Sequence, residues 1–157
     1  MKINLLIINL FFLCFLEAQP SDSTLSYNES FEFAMKHFQN RRYQLAEQGF
    51  KNILIEERNF EDPVSHFMFA TSQFHQGKMI DCKRTCDSYL NKYPNSKYDF
   101  NIKIMLSDIL ISKEKYSYVL EQLLPLRESL IDSTMLSKID YRIYNSIVMG
   151  IDSDNIE

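Results

Sequence analysis

Turn-forming residues are scarce in this chain. Only three glycines (Gly49, Gly77, Gly150) and four prolines (Pro20, Pro63, Pro94, Pro125) occur in 157 residues. A many-stranded β fold needs a turn every few residues, so this supply disfavours one and suits long helices with few breaks. Basic runs are equally short, none longer than Arg41-Arg42 or Lys83-Arg84, and the net charge is −4. Nucleic-acid binding requires a basic stripe that displaces phosphate counterions, and none is visible. No HExxH, GxSxG or phosphate-cradling glycine loop appears, so the reading is of a non-enzyme with no cofactor. No apolar run reaches the about 20 residues of a membrane-spanning helix. With 45% hydrophobic and 24% charged residues, the balance is nevertheless globular rather than disordered.

The first residues read as an export signal. Lys2 supplies a positive start, Ile3 to Leu16 is apolar apart from Asn4 and Asn9, and Leu16-Glu17-Ala18 offers a cleavage point. The expected division is a signal peptide over 1–18, a flexible lead-in over 19–28, a helical domain over 29–150 and an acidic, frayed tail over 151–157. The expected location is the periplasm or outside the cell, with membrane association only if the N-terminal segment is retained. Cys14 is preceded by Leu13, too large for a lipidation box, and leaves with the leader if cleavage follows Ala18.

What the chain does have is a recurrence. Tyr43-x-x-Ala46-x-x-x-Phe50 is echoed by Met79-x-x-Cys82-x-x-x-Cys86 and by Tyr116-x-x-Val119-x-x-x-Leu123, with starts 36 and 37 positions apart. A period of this length marks stacked helix-turn-helix units, which cannot bury their apolar faces alone. Apolar spacing predicts a first helix through Phe31, Ala34, Met35 and Phe38, a break at Asn40-Arg41-Arg42, and a second helix through Tyr43 and Ile53. The charged connector from Glu56 to Pro63 reads as a solvated loop, and Asp62-Pro63 as a helix start. Gln76-Gly77-Lys78 turns the second pair, and Pro94 stops it. The third pair runs over Tyr98 to Ile111 and Tyr116 to Leu130, with Pro125 expected to kink or split its second helix. A seventh helix is expected over 134–148, with Leu136, Ile139, Ile143 and Ile147 on one stripe.

These residues resemble bacterial tetratricopeptide repeats (TPR). In that family a small residue on the first helix and a turn glycine precede aromatic-x-x-Ala-x-x-x-aromatic, and a proline closes the unit. The second repeat fits best, through Ala70, Gly77, Cys82 and Pro94. The first lacks the turn glycine, and the third carries Ser107, Glu114 and Val119 at the small, glycine and alanine positions. The string Tyr93-Pro94-Asn95-Ser96 is similar to the repeat ending of envelope TPR proteins, such as the outer-membrane assembly lipoprotein and the Tol-associated cell-division coordinator. The resemblance covers about residues 28 to 130. It implies an all-α, right-handed α-solenoid of about three helix pairs plus a C-terminal capping helix. It further implies a protein or peptide partner in the cell envelope.

Register carried over from the family puts Phe31, Met35, Phe38, Phe67, Thr71, Phe74, Ile104, Asp108 and Ile111 on or near a concave groove. So apolar a surface would bind an extended peptide, a helix or another domain. The alternative is that these aromatics pack between repeats, in a structural or accessory N-terminal helical module of a longer or dimeric envelope protein whose groove is self-filled. Cys82 and Cys86 are four apart on one helix, poorly placed for a disulfide, and are expected to be buried free thiols rather than metal ligands. His66 and His75 are nine apart and point to opposite faces, so no shared metal site is expected. On the last helix Tyr141, Tyr144, Val148 and Ile151 make a second apolar stripe. A terminal cap is expected to show a polar outer face, so this stripe leaves room for a further element or a second subunit.

Overall fold

The computed structural model describes residues 26–56 and 62–154. The expected leader, most of the lead-in, and residues 57–61 of the charged connector lie outside the described residues. Those described form seven helices and no strand: α1 Tyr27–Gln39, α2 Tyr43–Glu56, α3 Pro63–His75, α4 Met79–Lys92, α5 Asp99–Ile111, α6 Tyr116–Glu128 and α7 Ser133–Asp154. The fold is all-α, each helix packed on the next in a solenoid-like repeat.

The helix starts are written locally. Ser26 caps α1 through a reciprocal pair: its hydroxyl accepts from the Glu29 N–H and the Glu29 carboxylate accepts from the Ser26 N–H at 2.9 Å. The end of the expected lead-in, from Ser26 to Asn28, therefore belongs to the first helix. Asp62 caps α3, accepting from Ser65 N at 2.9 Å with Pro63 at the first helical position. The other Asp62 oxygen accepts from the Tyr27 hydroxyl at 2.7 Å and ties the start of α1 to the start of α3.

The three turns within pairs share one backbone geometry. Arg41, Gly77 and Glu114 all take positive φ, at 57°, 72° and 58°. Around each, two bonds close the helix end: Arg41 N to Phe38 O with Arg42 N to His37 O, Gly77 N to Phe74 O with Lys78 N to Gln73 O, and Glu114 N to Ile111 O with Lys115 N to Leu110 O. These are Schellman closures, whose left-handed residue is most comfortable as glycine. Only the second repeat supplies one. The repeat is thus more regular in its backbone than in its residues.

Three apolar cores lie along the stack, each closed by the following pair. Ala34, Ala46, Phe50 and Ile53 from α1 and α2 receive Met68 and Phe69 from α3. Ala70, Cys82, Cys86 and Tyr89 from α3 and α4 receive Ile102, Met105, Leu106 and Ile109 from α5. Val119 and Leu123 of α6 meet Ile139 and Ile143 of α7. Full burial of a side chain such as Phe50 contributes about 2–3 kcal/mol. Close approach needs small residues: a Cβ placed on Gly49 would meet the Ala34 Cβ at 2.8 Å, so that position admits no side chain unless α1 moves.

Buried polar groups set the register between pairs. Glu47 of α2 accepts from Gln73, Gln76 and Lys78, and Gln73 accepts from the Thr85 hydroxyl at 2.8 Å. Burial raises the Glu47 pKa, but the bonds from Lys78, Gln76 and Gln73 outweigh it and hold the group below its ordinary value.

Two expectations need correction. Helix α6 runs across Pro125 to Glu128, so of the expected kink or split the split does not occur; the proline gives up its own N–H bond to the carbonyl of Glu121, one bond in a helix that continues on both sides. Gly150 does not start a tail, because α7 continues through it to Asp154.

Arg41→Gly and Glu114→Gly are each expected to stabilise the protein by about 0.5–1 kcal/mol by relieving left-handed strain, and Gly77→Ala to cost a similar amount. Urea unfolding midpoints of the three variants check this.

Candidate functional site

All nine residues expected at the groove are half-buried, neither sealed in the core nor free. They recur in rungs, one per first helix: Phe31, Met35 and Phe38 on α1, Phe67, Thr71 and Phe74 on α3, and Ile104, Asp108 and Ile111 on α5. The equivalent positions are 36 or 37 residues apart, and Ala34, Ala70 and Ser107 are the fully buried partners beside them. Each rung therefore has two apolar ends and a middle residue that becomes polar along the chain.

Much of this apolar surface also works as packing. Phe31 makes an edge contact with Phe50 at 5.8 Å, Phe38 with Tyr43 at 5.4 Å and His75 at 5.9 Å, and Phe67 stacks on Tyr98 at 4.6 Å. Thr71 donates its hydroxyl to Phe67 O within its own helix. The two readings of these aromatics are combined in one set of side chains: one edge holds the stack together while the other meets solvent.

On α5 the face is partly occupied by the chain itself. Arg142 of α7 grips Asp108 with two bonds at 2.7 and 2.8 Å, with the guanidinium side chain 17% exposed. Ile104 and Ile111 pack against the core that Ile139 and Ile143 complete.

The sequence list stops too early. Ile102, Leu106 and Ile109 of α5 are buried, and so are Ile139, Ile143 and Ser146, 37 positions on. Helix α7 therefore repeats a first helix, and the same step puts Tyr141, Asn145 and Val148 in a fourth rung. Tyr141 is 67% exposed. The period thus runs on past the third pair, and α7, expected as a capping helix, closes the third core from the position of a first helix. A separate cleft of about 380 Å³ opens between α6 and α7, lined by Tyr116, Leu120, Ser146 and Ile147. Its walls carry one carboxylate, Glu114, and no basic side chain.

The described cysteines and the histidines His66 and His75 sit in separate environments. Cys82 and Cys86 are buried free thiols with sulfurs 3.9 Å apart, and Cys82 donates to Met105 Sδ at 3.3 Å. The hydrogen bond to Cys82 and burial push the Cys86 thiol up, so it is a packing group at neutral pH. His66 is buried against the edges of Tyr89 and Tyr93, whereas His75 stacks on Tyr43 at 4.5 Å on another face. Among the described residues no group of three His, Cys, Asp or Glu side chains converges, and no helix is long and apolar enough to cross a membrane. No protein-family model, curated protein or solved structure matches the chain.

Burial pushes the His66 imidazole down to about 4 from 6.5; the Lys92 charge adds to this and Asp62 opposes it. The unfolded chain takes up this proton first. Stability is therefore intact above the unfolded value of 6.5 and is lost as pH falls toward about 4, by roughly 3 kcal/mol at most from this group. Melting curves are expected to show that slope for the wild type and a flatter one for His66→Gln over the same window.

Arg142→Met leaves Asp108 without its fork. A cost of about 1–2 kcal/mol is expected, since the pair is charge-assisted but partly solvated. Urea unfolding, with faster amide exchange in α7, reads it out.

Proposed function

We propose that this chain is an exported, TPR-like protein-interaction scaffold of a bacterial cell envelope, with no catalytic role. It engages an extended peptide, a helix or a partner domain. The observation that carries the reading is the set of half-buried apolar rungs at a fixed period on the first helices. Packing alone would favour sealing the apolar members (Phe31, Met35, Phe38, Phe67, Phe74, Ile104 and Ile111), yet all of them are only half-buried. The partner would lie along α1 and α3, its apolar side chains between the rows Phe31–Phe67 and Phe38–Phe74, with Met35 and Thr71 as the floor. Export rests on the apolar N-terminal segment with Lys2 and Ala18.

A second reading has its own support. The Arg142–Asp108 pair and the packing of Ile104 and Ile111 cover the α5 rung from within the chain. A structural module whose groove is filled by its own helices would extend that covering to α1 and α3.

A photo-crosslinker at Thr71 separates the two, with one at Phe33, which is exposed on another side of α1, as the control. In cells making the tagged protein, Thr71 is expected to give a discrete intermolecular adduct that Phe33 does not. Met35→Lys is expected to weaken that adduct at least tenfold while circular dichroism shows the protein still folded, the lost core contact lowering its melting temperature only modestly. Equal adducts at both sites, or purely intramolecular ones at Thr71, would overturn the scaffold reading.

A further inference from the structure

Three sulfurs meet in the middle core. Cys82 and Cys86 lie on one face of α4 with their Sγ atoms 3.9 Å apart, and Met105 of α5 brings its Sδ to 3.3 Å from the first and 3.9 Å from the second. Both cysteines are fully buried, and Met105 is 7% exposed. Two ligands from one helix are too few to hold a metal ion. The third comes from the next helix pair, 23 and 19 positions along the chain from the two cysteines. Repeat packing does not call for sulfur at these places. Ala46 and Phe50 fill the same positions in the first pair, and Val119 and Leu123 in the third. Nor are the thiols bridged: their sulfurs stand at almost twice the about 2.05 Å of a disulfide bond.

We infer that Cys82, Cys86 and Met105 form a binding site for a soft monovalent metal ion, Cu(I). A metal–sulfur bond is about 2.3 Å, so three sulfurs around one ion in their plane stand about 4 Å apart. Two edges of the triangle are already at that distance. The short edge, between Cys82 and Met105, has to open by about half an ångström, within reach of an unbranched thioether side chain with three rotatable bonds. Ligand chemistry selects the ion. Among the described residues no His, Asp or Glu joins the two cysteines in a three-ligand group. Two thiolates and a thioether are a soft donor set that suits Cu(I), whereas Zn(II) closes four tetrahedral positions with thiolate, imidazole or carboxylate. The Ala70 carbonyl oxygen, 3.4 Å from Cys82 Sγ, is a hard donor and adds nothing for a soft ion. The surrounding core includes Phe67, Phe74, Ile102 and Leu106, an apolar shell that keeps water from the ion. On binding, each cysteine releases its S–H proton to solvent and its sulfur bonds the metal, while the thioether donates a lone pair; the ion keeps its oxidation state. Without the metal the same sulfurs are protonated packing groups.

Anaerobic titration of the full, reduced chain with Cu(I) held by a chromogenic chelator tests this. One Cu(I) per chain is expected to leave the chelator, with a first shell of three sulfurs at about 2.3 Å in X-ray absorption. Cu(I) is also expected to raise the melting temperature, because the ion ties α4 to α5 and binds only the folded arrangement. Cys82→Ala is expected to abolish uptake. It places at 82 the residue that Ala46 supplies in the first pair, and circular dichroism checks that it stays folded. Met105→Leu, close in volume, is expected to weaken uptake at least tenfold and to leave two sulfurs in the shell. Cys14→Ser, at the chain's remaining cysteine, is expected to leave uptake unchanged. No uptake by the wild type, equal uptake by Cys82→Ala, three sulfurs retained in Met105→Leu, or tighter binding of Zn(II) than of Cu(I) would each overturn the inference. None of these readouts depends on the groove adduct at Thr71, so failure here is distinguishable from failure of the scaffold reading.

Discussion

Everything in this fold depends on the incompleteness of a single helix pair. Two helices of 13 or 14 residues joined by a tight turn expose an apolar face that they cannot cover by themselves. Here each pair's core is finished by the first helix of the next: α3 closes the core of α1 and α2, α5 that of α3 and α4, and α7 that of α5 and α6. Stability therefore passes along the stack as neighbour contacts rather than residing in one centre. The chain of contacts also explains why a last helix carries weight beyond its own length, since the third core has no other lid among the described residues.

Regularity is enforced at two kinds of position. Small residues at Ala34, Gly49, Ala46, Ala70 and Cys82 let helix axes approach, and the Gly49–Ala34 contact leaves no room for a methyl group. Left-handed residues at Arg41, Gly77 and Glu114 set the angle at which each second helix folds back. The polar bridge from Glu47 through Gln73 to Thr85 then locks two pairs in register, because sliding either helix would strand buried donors and acceptors. Arg142 and Asp108 do similar work at the far end.

The candidate binding face follows from this arrangement rather than standing apart from it. Side chains that stack the first helices have two edges, and a curved row of helices can bury only one. The outer edges of Phe31, Phe38, Phe67 and Phe74 are left as an apolar surface of fixed spacing. On α5 and α7 the same rung positions become Asp108 and Asn145 in the middle, and the chain fills part of the face with its own Arg142. Equivalent positions thus carry apolar residues at one end and the Arg142–Asp108 pair at the other, which gives the solenoid a direction.

The sequence by itself determined the helices, their pairing and the period, because apolar spacing, an Asp62-Pro63 start and scarce turn residues are local properties. Six helices begin and end close to where that spacing puts them. It could not show that Arg41 and Glu114 take glycine's conformation, since a Schellman closure is satisfied by backbone bonds that any residue can make at a cost. Nor could it show that α6 tolerates Pro125 or that α7 passes through Gly150, outcomes set by packing on neighbouring helices. The nine groove positions were legible as a register, but whether each was covered was not. Only the tertiary structure decided that the nine positions are half-buried and that α7 repeats the buried positions of a first helix, because burial is settled by which helix arrives next to each face.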